Sequence, residues 1–141
     1  MSILSVWFTK TFLNKVEVKE ISSDVIEDII ANFDCPYYRV RDSKYRLVNK
    51  KDFEFFLEQN LTDKYPYEKD YFDCDDFALK LVVEARHWKN GLAMGYCVIV
   101  ESDRKHAMNI LFDIESKVWI VEPQTDKMEQ YNGQEIEFIL I

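Results

Sequence analysis

Glycine and proline are scarce in this chain, with three of each among 141 residues. Stretches rich in these residues mark linkers and low-complexity regions, and the sequence contains none. It also lacks the polar bias of a disordered chain, because hydrophobic residues make up 48% of it. We therefore expect a single globular domain that spans residues 1–141.

Long hydrophobic runs are missing as well, and no apolar stretch reaches the length of a membrane-spanning helix. The first residues are apolar only in patches. They have no positively charged leader and no small-residue cleavage site, and Lys10 interrupts them. We expect no membrane partner and a cytoplasmic location, and a small chain of this kind is typical of a bacterial or phage protein.

Basic residues are too few to balance the acids, since 18 Lys and Arg face 26 Asp and Glu for a net charge of −8. Nucleic acids and anionic membranes attract basic proteins, so neither is expected as the main partner. The charge leaves a cationic partner or a hard cation such as calcium as alternatives.

Cysteine is present at only three positions, Cys35, Cys74 and Cys97. An odd, low number in a chain of this size excludes a disulfide framework and favours a reduced protein. Cys35 and Cys97 are expected to be structural. Cys74 is either a third buried thiol or a chemically special one.

The hydrophobic pattern predicts an α+β fold, with helices first and then an antiparallel sheet that packs against a central helix. A strand is predicted at residues 6–18. Helices are predicted to follow the cap residues 22–24, at 50–59 and from Asp73 to about Lys89, where Asn90-Gly91 ends the helix. Strands are predicted at 96–100, 106–112, 117–121 and 135–140.

The first turn of the central helix is the most informative segment for function, because it carries Cys74. Backbone N–H groups are unpaired in this turn, and the helix dipole favours a thiolate there. The same N–H groups could stabilise an oxyanion. Cys74 is therefore a candidate nucleophile.

A nucleophilic thiol needs a base, and the chain has only two histidines. His87 lies on the same helix roughly 20 Å from Cys74, at 1.5 Å per residue, and cannot reach it. His106 opens a strand of the sheet. The next strand runs antiparallel and ends at Glu122, so Glu122 can orient His106. Asn109 and Asp113 are competing acceptors, and Asp113 is the weaker because it lies at the far end of the strand.

Three short runs carry a resemblance to a known superfamily: DCDDFA at 73–78, HAMN at 106–109 and VEPQ at 121–124. Their order resembles that of the transglutaminase-like/papain-like cysteine peptidase superfamily. The first run is similar to bacterial transglutaminase-like cysteine peptidases. It also resembles the calcium-dependent papain-like protease domain attached to a mushroom agglutinin, whose third catalytic member is a glutamate. The resemblance covers residues 70–124.

The resemblance implies a papain/transglutaminase-like core and a cysteine hydrolase. Cys74 would be the nucleophile, His106 the general base and then acid, and Glu122 the orienting group. A peptide or protein substrate would form a thioester acyl-enzyme, and peptidase, amidase and acyl-transfer outcomes share this machinery. Papain relatives also supply an upstream side chain to the oxyanion hole. Gln59, Tyr65 and Tyr67 are the open candidates for that role.

Three carboxylates crowd the predicted nucleophile and disfavour a thiolate: Asp73, Asp75 and Asp76. A hard cation with oxygen ligands could neutralise some of them, and the agglutinin resemblance implies calcium. The alternative is a solvated helix start that the dipole stabilises.

A second hypothesis belongs to a different functional class. The chain could be a catalytically silent binding or structural module on the same fold, because a fold alone does not determine chemistry. A third is an acidic decoy that blocks a basic partner, with binding that weakens steeply as salt rises.

Overall fold

The computed structural model describes residues 16–141, and the predicted strand at 6–18 lies almost wholly outside them. In chain order the elements are β1 (Val18–Ser22), α1 (Ser23–Ile30), β2 (Tyr37–Arg39), β3 (Lys44–Val48), α2 (Lys50–Gln59), a 3-10 turn (Thr62–Lys64), α3 (Cys74–Trp88), β4 (Met94–Glu101), β5 (Arg104–Phe112), β6 (Val118–Glu122), β7 (Lys127–Gln130) and β8 (Glu135–Leu140). No helix in this part of the chain is long and apolar enough to cross a membrane.

Strands dominate the architecture. Six of them form one sheet in the order β2-β8-β4-β5-β6-β7, and β1 pairs with β3 in a separate two-stranded sheet. The large sheet is mixed. Strand β2 runs parallel to β8, whereas the other strand pairs of this sheet are antiparallel.

The predicted α+β layout, with helices first and an antiparallel sheet after them, is therefore wrong. β2 joins the final strand across about a hundred residues, and the backbone bonds Ile141 N–H to Arg39 O and Arg41 N–H to Ile141 O hold it there. Local periodicity carries no signal for a pairing at that separation.

The sheet has a hydrophobic core on each face, because successive side chains of a strand point to opposite sides. Ile26 and Ile30 of α1 pack in a cluster with Ile110 of β5. Leu81 of α3 packs in the other cluster with Leu111, the next residue along β5. Helix α1 therefore lies on one side of the sheet, and α2 and α3 lie on the other.

Helix α3 begins where the sequence predicts. Asp73 and Asp76 form a capping box at its N-terminus, with the Asp73 N–H donating to Asp76 Oδ2 at 3.1 Å. The fully buried Asn109 fixes the helix to the sheet, because its Nδ2 donates to Ala78 O (2.9 Å) and to Gly95 O (3.1 Å). The first turn of α3 is thereby held next to β4 and β5.

Candidate functional site

His106 and Glu122 are in direct contact at one end of the β5–β6 hairpin. His106 Nε2 and Glu122 Oε2 are 2.6 Å apart, and both side chains are largely buried. Glu122 Oε1 also accepts the N–H of Gln124 at 3.1 Å. The hydrogen bond with Glu122 raises the pKa of His106, and the desolvation of the ring opposes this shift.

Neither competing acceptor, Asn109 or Asp113, bonds to His106, and the buried Oδ1 of Asn109 has no hydrogen-bond partner among the described residues. Asn109 bonds to α3 and β4, and Asp113 bonds to its own turn and to the Trp119 indole at 2.7 Å. The strand register explains this arrangement, because Asn109 pairs with Val121 at the end of the β5–β6 ladder. Beyond this pair the antiparallel strands continue through the residues that precede Asn109 on β5 and the residue that follows Val121 on β6, which brings His106 and Glu122 together.

Cys74 lies among carboxylates at the start of α3. A ligand atom from each of Asp73, Cys74 and Asp75 lies within 4.8 Å of the other two. The hydrogen bond between the two carboxyls raises the pKa of Asp75, as do burial and the neighbouring charges, and the same bond lowers the pKa of Asp73. Asp75 is therefore the carboxyl of the pair that keeps its proton more strongly, and in the protonated form it donates the hydrogen bond to Asp73.

The expected calcium ligands do not all point to one place. Asp73 and Asp75 converge with the Cys74 thiol, whereas Asp76 accepts the backbone N–H of Asp73. Two carboxylates and a thiol form a smaller oxygen set than the six to eight ligands that calcium takes. Calcium binding stays a prediction.

Tyr96 of β4 is a neighbour of Cys74 that the sequence analysis did not include. Burial raises the pKa of its hydroxyl, and the nearby Asp75 and Cys74 add to the shift. The β4–β5 register that brings Tyr96 close to Cys74 has no local sequence signal.

The predicted nucleophile and the predicted base are not bonded to each other. Within residues 16–141 the His106 ring hydrogen-bonds to Glu122, and no hydrogen bond joins it to the Cys74 thiol.

Exposed aromatic rings border the same helix start. Tyr65, Tyr67 and Tyr71, here called the tyrosine surface, are 48%, 57% and 79% exposed. Tyr65 packs on Phe72 with ring centroids 4.2 Å apart, and Tyr67 stacks near Phe77 of α3 at 6.5 Å. Two of the rings are thus held by packing although their outer parts face solvent. Gln59, the other candidate for the oxyanion hole, is exposed at the end of α2.

The fold is shared with solved lectin structures. A PSL1a-E64 complex matches with a TM-score of 0.74 at 21% identity, over 86% of this chain and 51% of that chain. A Polyporus squamosus lectin bound to the human-type influenza-binding epitope Neu5Aca2-6Galb1-4GlcNAc matches with a TM-score of 0.71, also at 21% identity, over 86% and 49%. At this identity the likeness establishes the fold alone, and the chain spans about half the length of these proteins. No curated protein matches it.

The family follows from the sequence. A family model described as Agglutinin C-terminal matches residues 45–128, well over half of the chain. The chain therefore belongs to the Agglutinin C-terminal family.

This family corrects the peptidase assignment. The expectation of a transglutaminase-like/papain-like cysteine peptidase, with its papain-like core, is wrong, because the matching family is an agglutinin family and the shared fold is that of a lectin. In the sequence resemblance an agglutinin figures only as the carrier of an attached protease domain. The prediction of a cysteine hydrolase is wrong for the same reason, and the alternative of a binding module fits these findings better.

The physical reason for the error is that the three sequence runs determine where their residues lie in the fold, and they do not determine a reaction. A helix that begins at Cys74 and a hairpin that joins His106 to Glu122 are consequences of capping and strand pairing. The same framework can carry chemistry or binding. Cys74, His106 and Glu122 stay predicted site residues.

Proposed function

We propose that this chain is a non-catalytic carbohydrate-binding module of the agglutinin type. The observation that carries the proposal is the tyrosine surface, whose rings Tyr65 and Tyr67 pack against Phe72 and Phe77, the residues that flank the 73–76 acidic turn in the sequence. The family membership supports a binding role, and the glycan bound by the Polyporus squamosus lectin supports a saccharide as the ligand class. A peptide or protein substrate is no longer the expected partner.

The arrangement has the two components that saccharide binding requires. Tyrosine rings offer rigid, amphipathic surface on which the apolar face of a sugar ring can pack at low cost in conformational entropy. Carboxylate oxygens next to the rings can accept hydrogen bonds from sugar hydroxyls. Exposed apolar groups that are concentrated in one place mark interaction surfaces.

The predicted site residues then have positioning roles. Asp73 and Asp75 would contact the ligand, and the His106–Glu122 pair would hold the neighbouring strand ends in place. Calcium, if it binds, would neutralise Asp73 and Asp75 and present its own open positions to hydroxyls. A cytoplasmic location stays a prediction.

The first test is a glycan array followed by calorimetry on the wild-type chain and on Tyr67→Ala and Tyr71→Ala. We expect each substitution to weaken binding at least tenfold. Tyr37→Ala is the matched control, because Tyr37 is 66% exposed and lies on β2. Equal affinity of all four proteins would place the ligand elsewhere, and no binding to any glycan would refute the proposal.

The second test asks whether the thiol is catalytic. Iodoacetamide modification of Cys74 is followed by mass spectrometry in the wild type and in His106→Ala, with and without calcium. We expect the modification rate to be independent of His106. A rate that is faster at Cys74 than at Cys35 and that falls in His106→Ala would overturn the non-catalytic proposal.

A further inference from the structure

One part of the large sheet is only partly covered on the face that carries α3. Helix α3 packs on β4 and β5, and the sheet continues past them through β8 to β2. Beside the helix lies a cleft of about 350 Å³, lined in part by Leu79, Val83, Tyr96 and Leu140. This cleft and the adjoining surface of β8 and β2 are here called the β8 slot. We propose that the β8 slot binds an acidic amphipathic helix of a partner protein.

The floor of the β8 slot is apolar. Tyr96 of β4 lies opposite Leu140 of β8, so their side chains leave the sheet on the same face. Phe138, two residues before Leu140, shares that face and packs edge-on against Tyr96, with ring centroids 6.1 Å apart. These three side chains are half-buried, whereas the intervening Ile139 is fully buried on the other face. The floor therefore keeps apolar surface that the described residues leave open to solvent.

Helix α3 forms one wall of the slot. Leu79 and Val83 lie one turn apart on it and are 47% and 56% exposed. The core-facing stripe of the same helix contains Leu81 and Ala85, which are fully buried. Helix α3 therefore carries a second apolar stripe besides the one that it packs on the sheet. Exposed apolar groups that are concentrated in this way mark interaction surfaces.

The slot has the width of one helix. Neighbouring strands lie about 4.8 Å apart, so β8 and β2 together span about 10 Å. Packed helices have their axes about 8 to 10 Å apart. A helix placed over β8 and β2 would thus lie at a normal packing distance from α3. It would extend the helical layer on this face of the sheet and cover Phe138 and Leu140.

Basic side chains border the slot in a chain whose net charge is −8. Arg41 and Arg86 line the cleft, and none of the described residues that line it is acidic. Arg86 Nη2 bonds to Asp42 Oδ2 at 3.0 Å, but its buried Nη1 has no hydrogen-bond partner within residues 16–141. A carboxylate of a docked helix would supply an acceptor. Charges more than about 10 Å away are screened at about 0.1 M salt, so the local arginines select an acidic partner.

Neither the described helices of this chain nor its first residues fit the slot, so the occupant belongs to another protein. Residues 1–15 contain no Asp or Glu and lack the charge that the arginines select. Helix α1 is acidic, but Ile26 and Ile30 of its apolar face are already buried in the core. Helix α2 buries Phe53 and Leu57 in the same way.

The test uses two fluorescein-labelled synthetic helices of about 14 residues, a usual length for a protein helix. Both have leucines along one face, and they differ only in flanking residues that are glutamate in one peptide and lysine in the other. Fluorescence anisotropy measures the binding of each peptide to the full chain. We expect the glutamate peptide to bind about tenfold more tightly than the lysine peptide, with a preference that shrinks as salt rises.

Two variants test where the peptide binds. Val83→Glu places a charge on the apolar wall, and Arg41→Ala removes a cation from the border of the slot. Each should weaken the binding of the glutamate peptide about tenfold. Val25→Glu and Arg104→Ala are the matched controls, because Val25 is 38% exposed on α1, on the opposite side of the sheet, and Arg104 is exposed on β5. Both controls should bind the peptide as the wild type does.

The other outcomes overturn the inference. If neither peptide binds, or if Val83→Glu binds the glutamate peptide as tightly as the wild type, the slot is not a helix-docking site. Equal or tighter binding of the lysine peptide overturns the acidic assignment. A wild-type dimer that becomes a monomer in Val83→Glu, measured by light scattering, would assign the slot to a second copy of the chain. None of these results bears on saccharide binding, which the glycan array tests separately.

Discussion

Two carboxylates at opposite ends of the β5–β6 hairpin show how the donors around an acid determine its role. Asp113 receives two backbone N–H groups and the Trp119 indole, none of which titrates near neutral pH. Glu122 receives one backbone N–H and a histidine ring. The Asp113 end is therefore a fixed scaffold, whereas the Glu122 end changes its charge and hydrogen bonding with pH.

The largest expected difference between the two ends is in stability. Asp113→Ala removes a buried carboxylate that accepts from three donors, and we expect it to lower the free energy of unfolding by about 3 kcal/mol. Glu122→Ala should cost less than half of that, because Glu122 is less buried than Asp113 and accepts from two donors instead of three. Urea denaturation of both variants at pH 7 measures the difference. Equal losses would show that the two ends are not distinct.

The second difference is in pH dependence. Glu122 raises the pKa of His106 above its unfolded value, so the pair stabilises the fold fully below about pH 6.5 and loses this contribution as pH rises through the folded pKa. Glu122→Gln should lower the His106 pKa in an NMR titration. It should also reduce stability by about 1 kcal/mol at pH 6, with the pH-dependent part of that loss gone by about pH 9. Asp113→Asn should leave the His106 titration unchanged, and a shift in that variant would contradict the separation of the two ends.

A smaller effect is expected at the turn that follows Glu122. Burial and the neighbouring Asp63 raise the pKa of Asp126 to about 6. Its protonated form is thus favoured by folding, and this contribution is complete below about pH 3.8 and is lost as pH rises through 6. Asp126→Asn should therefore stabilise the fold by about 0.5 kcal/mol at pH 8 and have no effect at pH 3.5.

Asparagine is the suitable replacement at this position because Asp126 has a φ of 63°, which asparagine tolerates. Thermal unfolding at the two pH values measures the effect. Glu135→Gln, at an exposed position on β8, is the control for a general loss of negative charge. A gain at pH 8 that is equal in both variants would assign the effect to net charge rather than to the Asp63–Asp126 pair.

Much of the local structure could be predicted because its signals are local. The cap at Asp73, the helical spacing from Phe77 to Trp88 and the stop at Asn90-Gly91 define α3 within one residue of the structure at either end. Helix α2 also has its predicted bounds. The hairpin turn after Phe112 was enough to predict that Glu122 would lie near His106.

The candidate site could be predicted only in part. The sequence placed Asp73, Asp75 and Asp76 together, but the capping box turns Asp76 towards the backbone. Tyr96 approaches Cys74 only because the β4–β5 register brings it there. Trp119 likewise gives no local signal for its orientation, since this depends on the bond to the buried Asp113.

The sequence by itself determined the elements that depend on near neighbours: the capped helix α3, the β5–β6 hairpin and the acidic surroundings of Cys74. Tertiary structure decided the parallel pairing of β2 with β8, the placing of α1 and α3 on opposite faces of the sheet, and the partners of Asp113 and Asp76. The reason is the distance along the sequence over which each kind of interaction acts. Capping, helical periodicity and turn chemistry act over a few residues, whereas strand order and side-chain partners depend on contacts between segments up to a hundred residues apart.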